Sequence, residues 1–137
     1  MNQQRMKELI EQHIAAEMAG DTAGAVSVYT DDVEHEVIGS PTGPVHGPAA
    51  AQGFYDHLIT DLHTEQMIPK REQYGEDFCV VEHDATCVVK GAFMGIPGQG
   101  RRVTFRMLHV WDFKDDGISR EQVWLDGAAI AAQLTAP

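Results

Sequence analysis

The side chains of this sequence best equipped to move a proton near neutral pH are its histidines and carboxylates, and several stand where a core residue is expected. In "RVTFRMLHVWDF" (102–113), Val103, Phe105, Met107, Trp111 and Phe113 share one strand parity, while Thr104, Arg106 and Asp112 share the other. His109 interrupts the apolar parity. A histidine there is either a core residue satisfied by one or two hydrogen bonds or a group facing a cavity. His13 repeats the pattern on a helical stripe of Met6, Leu9, Ile10, Ile14 and Met18. In a third segment Gln122, Trp124 and Asp126 share a parity that ends in a carboxylate. Three polar groups on faces read as inward, from three distant segments, point to a common pocket. A base beside hydrogen-bond donors is the equipment for removing a proton next to a carbonyl and stabilising the enolate.

"VEHEVIG" (33–39) offers a fourth group and leaves its identity open. Val33, His35 and Val37 share one face and Glu34, Glu36 and Ile38 the other, so His35 and Glu36 cannot both point inward without a bulge. Phe54, Tyr55, Met107, Trp111 and Trp124 are the apolar and aromatic candidates for the pocket wall.

These groups need elements to position them. Residues 3–19 read as a helix closed by Gly20, and Asp21 as the N-cap of a short helix running through Tyr29. A strand is expected over 33–38, then a Gly/Pro loop, "GSPTGPVHGP". Pro48 opens a third helix whose buried face carries Ala51, Phe54, Tyr55, Leu58 and Leu62. Everything after it reads as strand, near 65–75, 77–83, 86–94, 101–114 and 118–126, with "HDA" (83–85) and "DDG" (115–117) as hairpin turns. Helices followed by a run of strands imply an α+β fold, one domain over residues 1–137, with helices on one face of a curved sheet.

With 21 acidic residues against 10 basic, the net charge is −11, which argues against a nucleic acid partner; Lys70-Arg71 and Arg101-Arg102 form only a thin basic cluster. No run of about 18 apolar residues suggests a membrane span, and the polar, helical N-terminus is unlike a secretory signal. Two cysteines, Cys79 and Cys87, make no disulfide scaffold, so a reducing, cytoplasmic setting is expected. "GIPGQGRR" (95–102) lacks the Lys-Ser/Thr of a phosphate loop and reads as a hairpin loop. His46, His57, Asp61 and His63 lie close in sequence without a recognised ligand spacing, so no metal is expected.

The stretch "GAFMGIPGQGRRVTFRMLHVWDFKDDGISREQVWLDGAAIAAQL" resembles the C-terminal half of SnoaL-like polyketide cyclases, through Gly95, Pro97, Gly100, Arg101, Asp116-Gly117, Trp124, Asp126 and Gln133-Leu134. The N-terminal half, "AGDTAGAVSVYTDDVEHEV" with "GPAAAQGFYDHL", resembles the wider nuclear transport factor two-like superfamily, which includes ketosteroid isomerases and limonene epoxide hydrolases. The resemblance implies a cone-shaped, strongly curved antiparallel or mixed sheet backed by about three helices from the N-terminal half, a cystatin-like α+β barrel. It places Asp126 where the cyclases keep an acid/base aspartate, His13 at an oxyanion-tyrosine position, Glu36 near a base and His109 near an oxyanion-supporting acid. There is no Tyr at 13 and no Asp at 36, and "EHW" reads "EQVW", so steroid isomerisation is not implied. Arg106 has the wrong parity to complete an epoxide hydrolase's Asp-Arg-Asp set.

The expected function is cofactor-free acid/base chemistry on a small hydrophobic carbonyl compound, by aldol-type cyclisation or by enolisation and isomerisation. Asp126 or Glu36 would be the base, and His109 and His13 donors or shuttles. A non-catalytic small-molecule binder and an epoxide hydrolase are the alternatives. The resemblance also implies pairing into a homodimer through the sheet face opposite the helices, which here carries Leu108 and Val110.

Overall fold

The computed structural model describes all residues, 1–137. Helix α1 (Gln3–Met18) starts at Asn2, whose side chain accepts from the Arg5 amide, and buries Met6, Leu9, Ile10 and His13 as one stripe. Asp21 caps α2 (Thr22–Val26), which is shorter than the sequence suggests: Tyr29 already begins strand β1 (Tyr29–Val37). After β2 (Val45–His46), Pro48 occupies the first turn of α3 (Pro48–Asp61), where its missing N–H costs nothing. Strands β3 (Leu62–Tyr74), β4 (Phe78–Val89), β5 (Ala92–Phe93), β6 (Ile96–Pro97), β7 (Arg101–Lys114) and β8 (Gly117–Leu125) follow, and α4 (Gly127–Leu134) ends the chain.

The main sheet has the order β2-β1-β8-β7-β4-β3, with β1 parallel to β8 and every other neighbour antiparallel. Register shifts interrupt β1/β8, β3/β4 and β7/β8, and such bulges bend a sheet. The sheet curves but does not close, since β2 and β3 are free edges rather than barrel neighbours. Asp115 and Asp116, both at positive φ, make the two-residue turn between β7 and β8 expected from "DDG". "GIPGQG" does lie in a hairpin, with Met94 and Gly95 at positive φ between β5 and β6.

Two further sequence expectations fail. "HDA" is not a turn: His83, Asp84 and Ala85 lie in the middle of the continuous strand β4, whose odd positions from Cys79 to Val89 all face inward. The C-terminus is not strand either. "GAAIAAQL" is rich in alanine, the best helix former, and Asp126 caps it by accepting from the Ala129 amide. This helix covers the end of β7 that β8 does not reach. There the Gln133 carboxamide accepts from the Thr104 N–H and donates to the Thr104 C=O, as a neighbouring strand would.

The apolar interior falls into two clusters. One packs Met6, Leu9 and Ile10 of α1 and Tyr55 of α3 against Val81, Trp111 and Phe113; the other packs Val89, Phe93, Val103 and Phe105 beneath Ile130 and Leu134 of α4. Along β7 the first cluster ends at Trp111 and the second begins at Phe105, with His109 between; along β4 His83 occupies the same boundary between Val81 and Ala85. Both cysteines are buried and free, eight residues apart on one strand. No helix is long and apolar enough to cross a membrane.

Candidate active site

Polar groups from α1, α3, β1, β4, β7 and β8 meet at the boundary between the two apolar clusters, around one buried carboxylate, Glu121. It is 1% exposed. Strand β8 places it there because Glu121 pairs across the sheet with Trp111, which is fully buried on the inner face. The Tyr29 hydroxyl donates to Glu121 Oε1 at 2.6 Å, and the Tyr55 hydroxyl lies 3.3 Å from both carboxylate oxygens. Burial, reinforced by the Glu121 charge, pushes both tyrosines well above their ordinary range, so they remain donors.

Three histidines complete the shell. His13 Nδ1 donates to the Ala25 carbonyl at 2.7 Å, and its Nε2 lies 3.3 Å from Glu121 Oε1 and 3.5 Å from Glu17 Oε2. Burial alone would pull His13 down; the carboxylates of Glu121 and Glu17 outweigh it and raise the group to about 9, so His13 is an imidazolium. His35 Nε2 contacts the Tyr55 hydroxyl at 3.0 Å and lies 3.8 Å from Glu121 Oε2. Burial lowers it despite Glu121, and the His13 cation lowers it further. His109 stacks on Trp111 at 5.1 Å, with Nε2 3.7 Å from Glu121 Oε2 and Nδ1 3.3 Å from His83 Nδ1. Burial drives it down to about 3 against the pull of Glu121, with His83, His13 and His35 adding to the fall. His109 is therefore neutral.

A cavity of about 630 Å³ opens on this cluster. Glu121, His35, His109 and Tyr55 form its polar end; Phe54, Leu58, Phe93, Phe105, Met107 and Leu125 are among its apolar walls. Glu17 and Asp61 also line it, and no lysine or arginine does. Its volume falls within the roughly 300–1,000 Å³ usual for small-molecule sites. No three His, Cys, Asp or Glu side chains are grouped so as to hold a metal ion.

Of the residues singled out from sequence, His13 and His109 converge on the same carboxylate, and His35, Phe54, Tyr55 and Met107 line the cavity. The choice left open in "VEHEVIG" resolves to His35. Glu36 lies on the opposite face, where the Gln122 side chain donates to it at 3.4 Å. Asp126 is not in the cavity: it is exposed and serves as the cap of α4. Trp124 shares its outward parity and is 38% exposed, while Trp111 lies beneath His109 in the core instead of forming a wall. The inward parity of β8 is therefore the odd one, not that of Gln122, Trp124 and Asp126. Glu121, with Val123 and Leu125, holds the inward positions, and that "ExVxL" alternation was the available signal. Glu17 could have been found four residues beyond His13, on the same helix face. Tyr29 and His83 were hidden by the misplaced helix end and the misplaced turn.

The model of the SnoaL-like polyketide cyclase family matches residues 7–134. Among solved structures, TsrD from Streptomyces laurentii is 17% identical with a TM-score of 0.82, covering 100% of this chain and 99% of that one. A protein with a ketosteroid isomerase-like fold from Catenulispora acidiphila, in complex with trimethylamine, is 14% identical with a TM-score of 0.78, covering 95% and 94%. An LEH-like epoxide hydrolase from M. tuberculosis is 14% identical with a TM-score of 0.73, covering 93% and 86%. No curated protein matches the chain in sequence.

Proposed function

This chain belongs to the SnoaL-like polyketide cyclase family, and from that premise we propose that it carries out cofactor-free acid/base chemistry on a small, uncharged, hydrophobic carbonyl compound. The reaction is enolisation, leading to aldol-type ring closure or isomerisation. One observation carries the reading: Glu121 Oε2 lies 3.7 Å from His109 Nε2 and 3.8 Å from His35 Nε2, and all three residues line one largely apolar cavity. A carbonyl oxygen and the adjacent C–H are two bonds apart, so one molecule can present the first to an imidazole and the second to the carboxylate. Glu121 takes the proton as the C–H bond breaks, and the electron pair moves onto the oxygen. A histidine N–H stabilises that oxygen as its charge develops. In ring closure the enolate carbon attacks a second carbonyl of the same molecule, and Glu121 returns its proton to the new alkoxide.

Tyr29, Tyr55 and the His13 cation surround Glu121 and hold its carboxylate in one orientation. The lining favours an uncharged substrate, because an anion would lose its hydration with no lysine or arginine to replace it. Water addition to an epoxide is less well served: Arg106 is exposed on the outer face, and no arginine lines the cavity. The partly apolar outer face, with Val80, Leu108 and Val110 half-buried, supports pairing with a second copy, to be checked by sedimentation at micromolar protein.

The test is α-proton exchange in D₂O, followed by NMR, on a panel of hydrophobic ketones and β-diketones. Exchange catalysed by the native chain should fall about 10²–10⁴-fold in Glu121→Gln. Undiminished exchange in that variant rules out the carboxylate as base, and saturable binding without any exchange favours a non-catalytic binder.

A further inference from the structure

His83 is buried, neighbours the cavity without lining it, and touches the proposed chemistry only through His109. The two rings meet edge to face, 5.1 Å apart at 88°, with their Nδ1 atoms 3.3 Å from each other. We propose that His83 is a positioning residue that donates its Nδ1–H to His109 Nδ1 and thereby holds the proton of His109 on Nε2, the edge facing Glu121. A neutral imidazole has one N–H and one bare nitrogen, so a contact between two Nδ1 atoms requires one donor and one acceptor. Were His109 the donor, its bare Nε2 lone pair would face Glu121 Oε2 at 3.7 Å, with two electron-rich atoms opposed in a dry interior. The reverse arrangement puts a positive N–H edge toward the carboxylate and a matched donor behind the ring. Stacking on Trp111, at an interplanar angle of 13°, fixes the ring plane so that the exchange of roles cannot be evaded by a tilt. The consequence is that His109 presents a donor to the cavity before any ligand arrives.

The use of that donor in catalysis rests on the function proposed above; the location of the proton does not. Two-bond ¹H–¹⁵N correlation spectra of the ¹⁵N-labelled, ligand-free chain at pH 7 read the tautomer of each histidine directly. The expected result is a neutral His109 protonated on Nε2 and a His83 protonated on Nδ1. In His83→Phe, which keeps an aromatic ring without a donor, the single His109 tautomer should be lost. His83→Asn, whose amide nitrogen approximates the position of Nδ1, should restore it. His109 protonated on Nδ1 in the native chain overturns the proposal, even if both variants fail to fold. An unchanged Nε2 tautomer in His83→Phe overturns it as well. If the tautomer shifts but α-proton exchange does not, His83 still sets the proton's position and it is the donor role of His109 that fails.

Discussion

Glu121 separates two histidines that share a neighbour and differ in charge. On its helix side His13 is held up to about 9; on its sheet side His109 is held down to about 3. Both are buried, so burial does not distinguish them. The difference lies in their other partners. His13 gives one N–H to the Ala25 carbonyl and turns the other edge to two carboxylates, a setting that repays a positive charge. His109 meets a single carboxylate beyond hydrogen-bonding distance, an indole face and a second imidazole, none of which replaces the lost hydration of a cation. One carboxylate can thus keep a permanent counter-ion on one side and a neutral donor on the other. The enolisation proposed above would draw on that division, because the neutral donor is left free for a carbonyl oxygen.

The comparison breaks most severely if the carboxylate is removed. Glu121→Leu leaves the His13 cation without its main partner in the interior and should cost about 3–5 kcal/mol, read from urea unfolding at pH 7. A loss below about 1 kcal/mol would mean that His13 is not charged in the folded chain.

A change of pH should separate the two sides. His13 is raised above the ordinary 6.5, so its contribution is complete below that value and is lost as the pH rises through about 9, a swing on the order of 3 kcal/mol. His109 is lowered, so its contribution is present above 6.5 and is lost as the pH falls toward 3. Stability should therefore peak near pH 6.5 and decline on both sides. His109→Leu should make the acid limb shallower, with His35 and His83, also lowered by burial, retaining part of it. At pH 7 the variant should lose about 1–3 kcal/mol, because the buried His83 N–H is left without its acceptor, while α-proton exchange falls roughly a hundredfold to a thousandfold. A variant that melts early yet keeps its exchange rate would make His109 a packing residue.

The smallest effect is expected outside this pair. Asp126→Ala removes a helix cap and should cost about 1 kcal/mol in thermal unfolding, with exchange unchanged. A large loss of exchange with little loss of stability would return Asp126 to the catalytic candidates.

Much of this arrangement is legible in the sequence where periodicity is strong. The α1 stripe carries His13, and the alternation of β7 carries His109; both were placed by their apolar neighbours. Where the pattern was mixed, parity misled. In "REQVWLD" one face offers Glu121, Val123 and Leu125 and the other Gln122, Trp124 and Asp126. The large indole of Trp124 suggests an inward face, yet it is the exposed one. The deciding fact is the pairing of Glu121 with buried Trp111, which depends on the register shift between Asp112 and Phe113 and not on the turn alone. His83 was missed for a related reason, since "HDA" has the composition of a turn and becomes strand only because β3 and β7 pair with β4 on both sides.

By itself, then, the sequence determined the α+β class, the starts of the first three helices, the β7–β8 turn and the placement of His13 and His109 on buried faces, because these depend on nearest neighbours and short periods. Tertiary structure decided which carboxylate they face, which of His35 and Glu36 enters the cavity, and which histidine carries a charge. Those outcomes depend on electrostatics and desolvation among α1, β1, β4, β7 and β8, whose side chains meet only when the curved sheet brings distant segments within a few ångströms of one another.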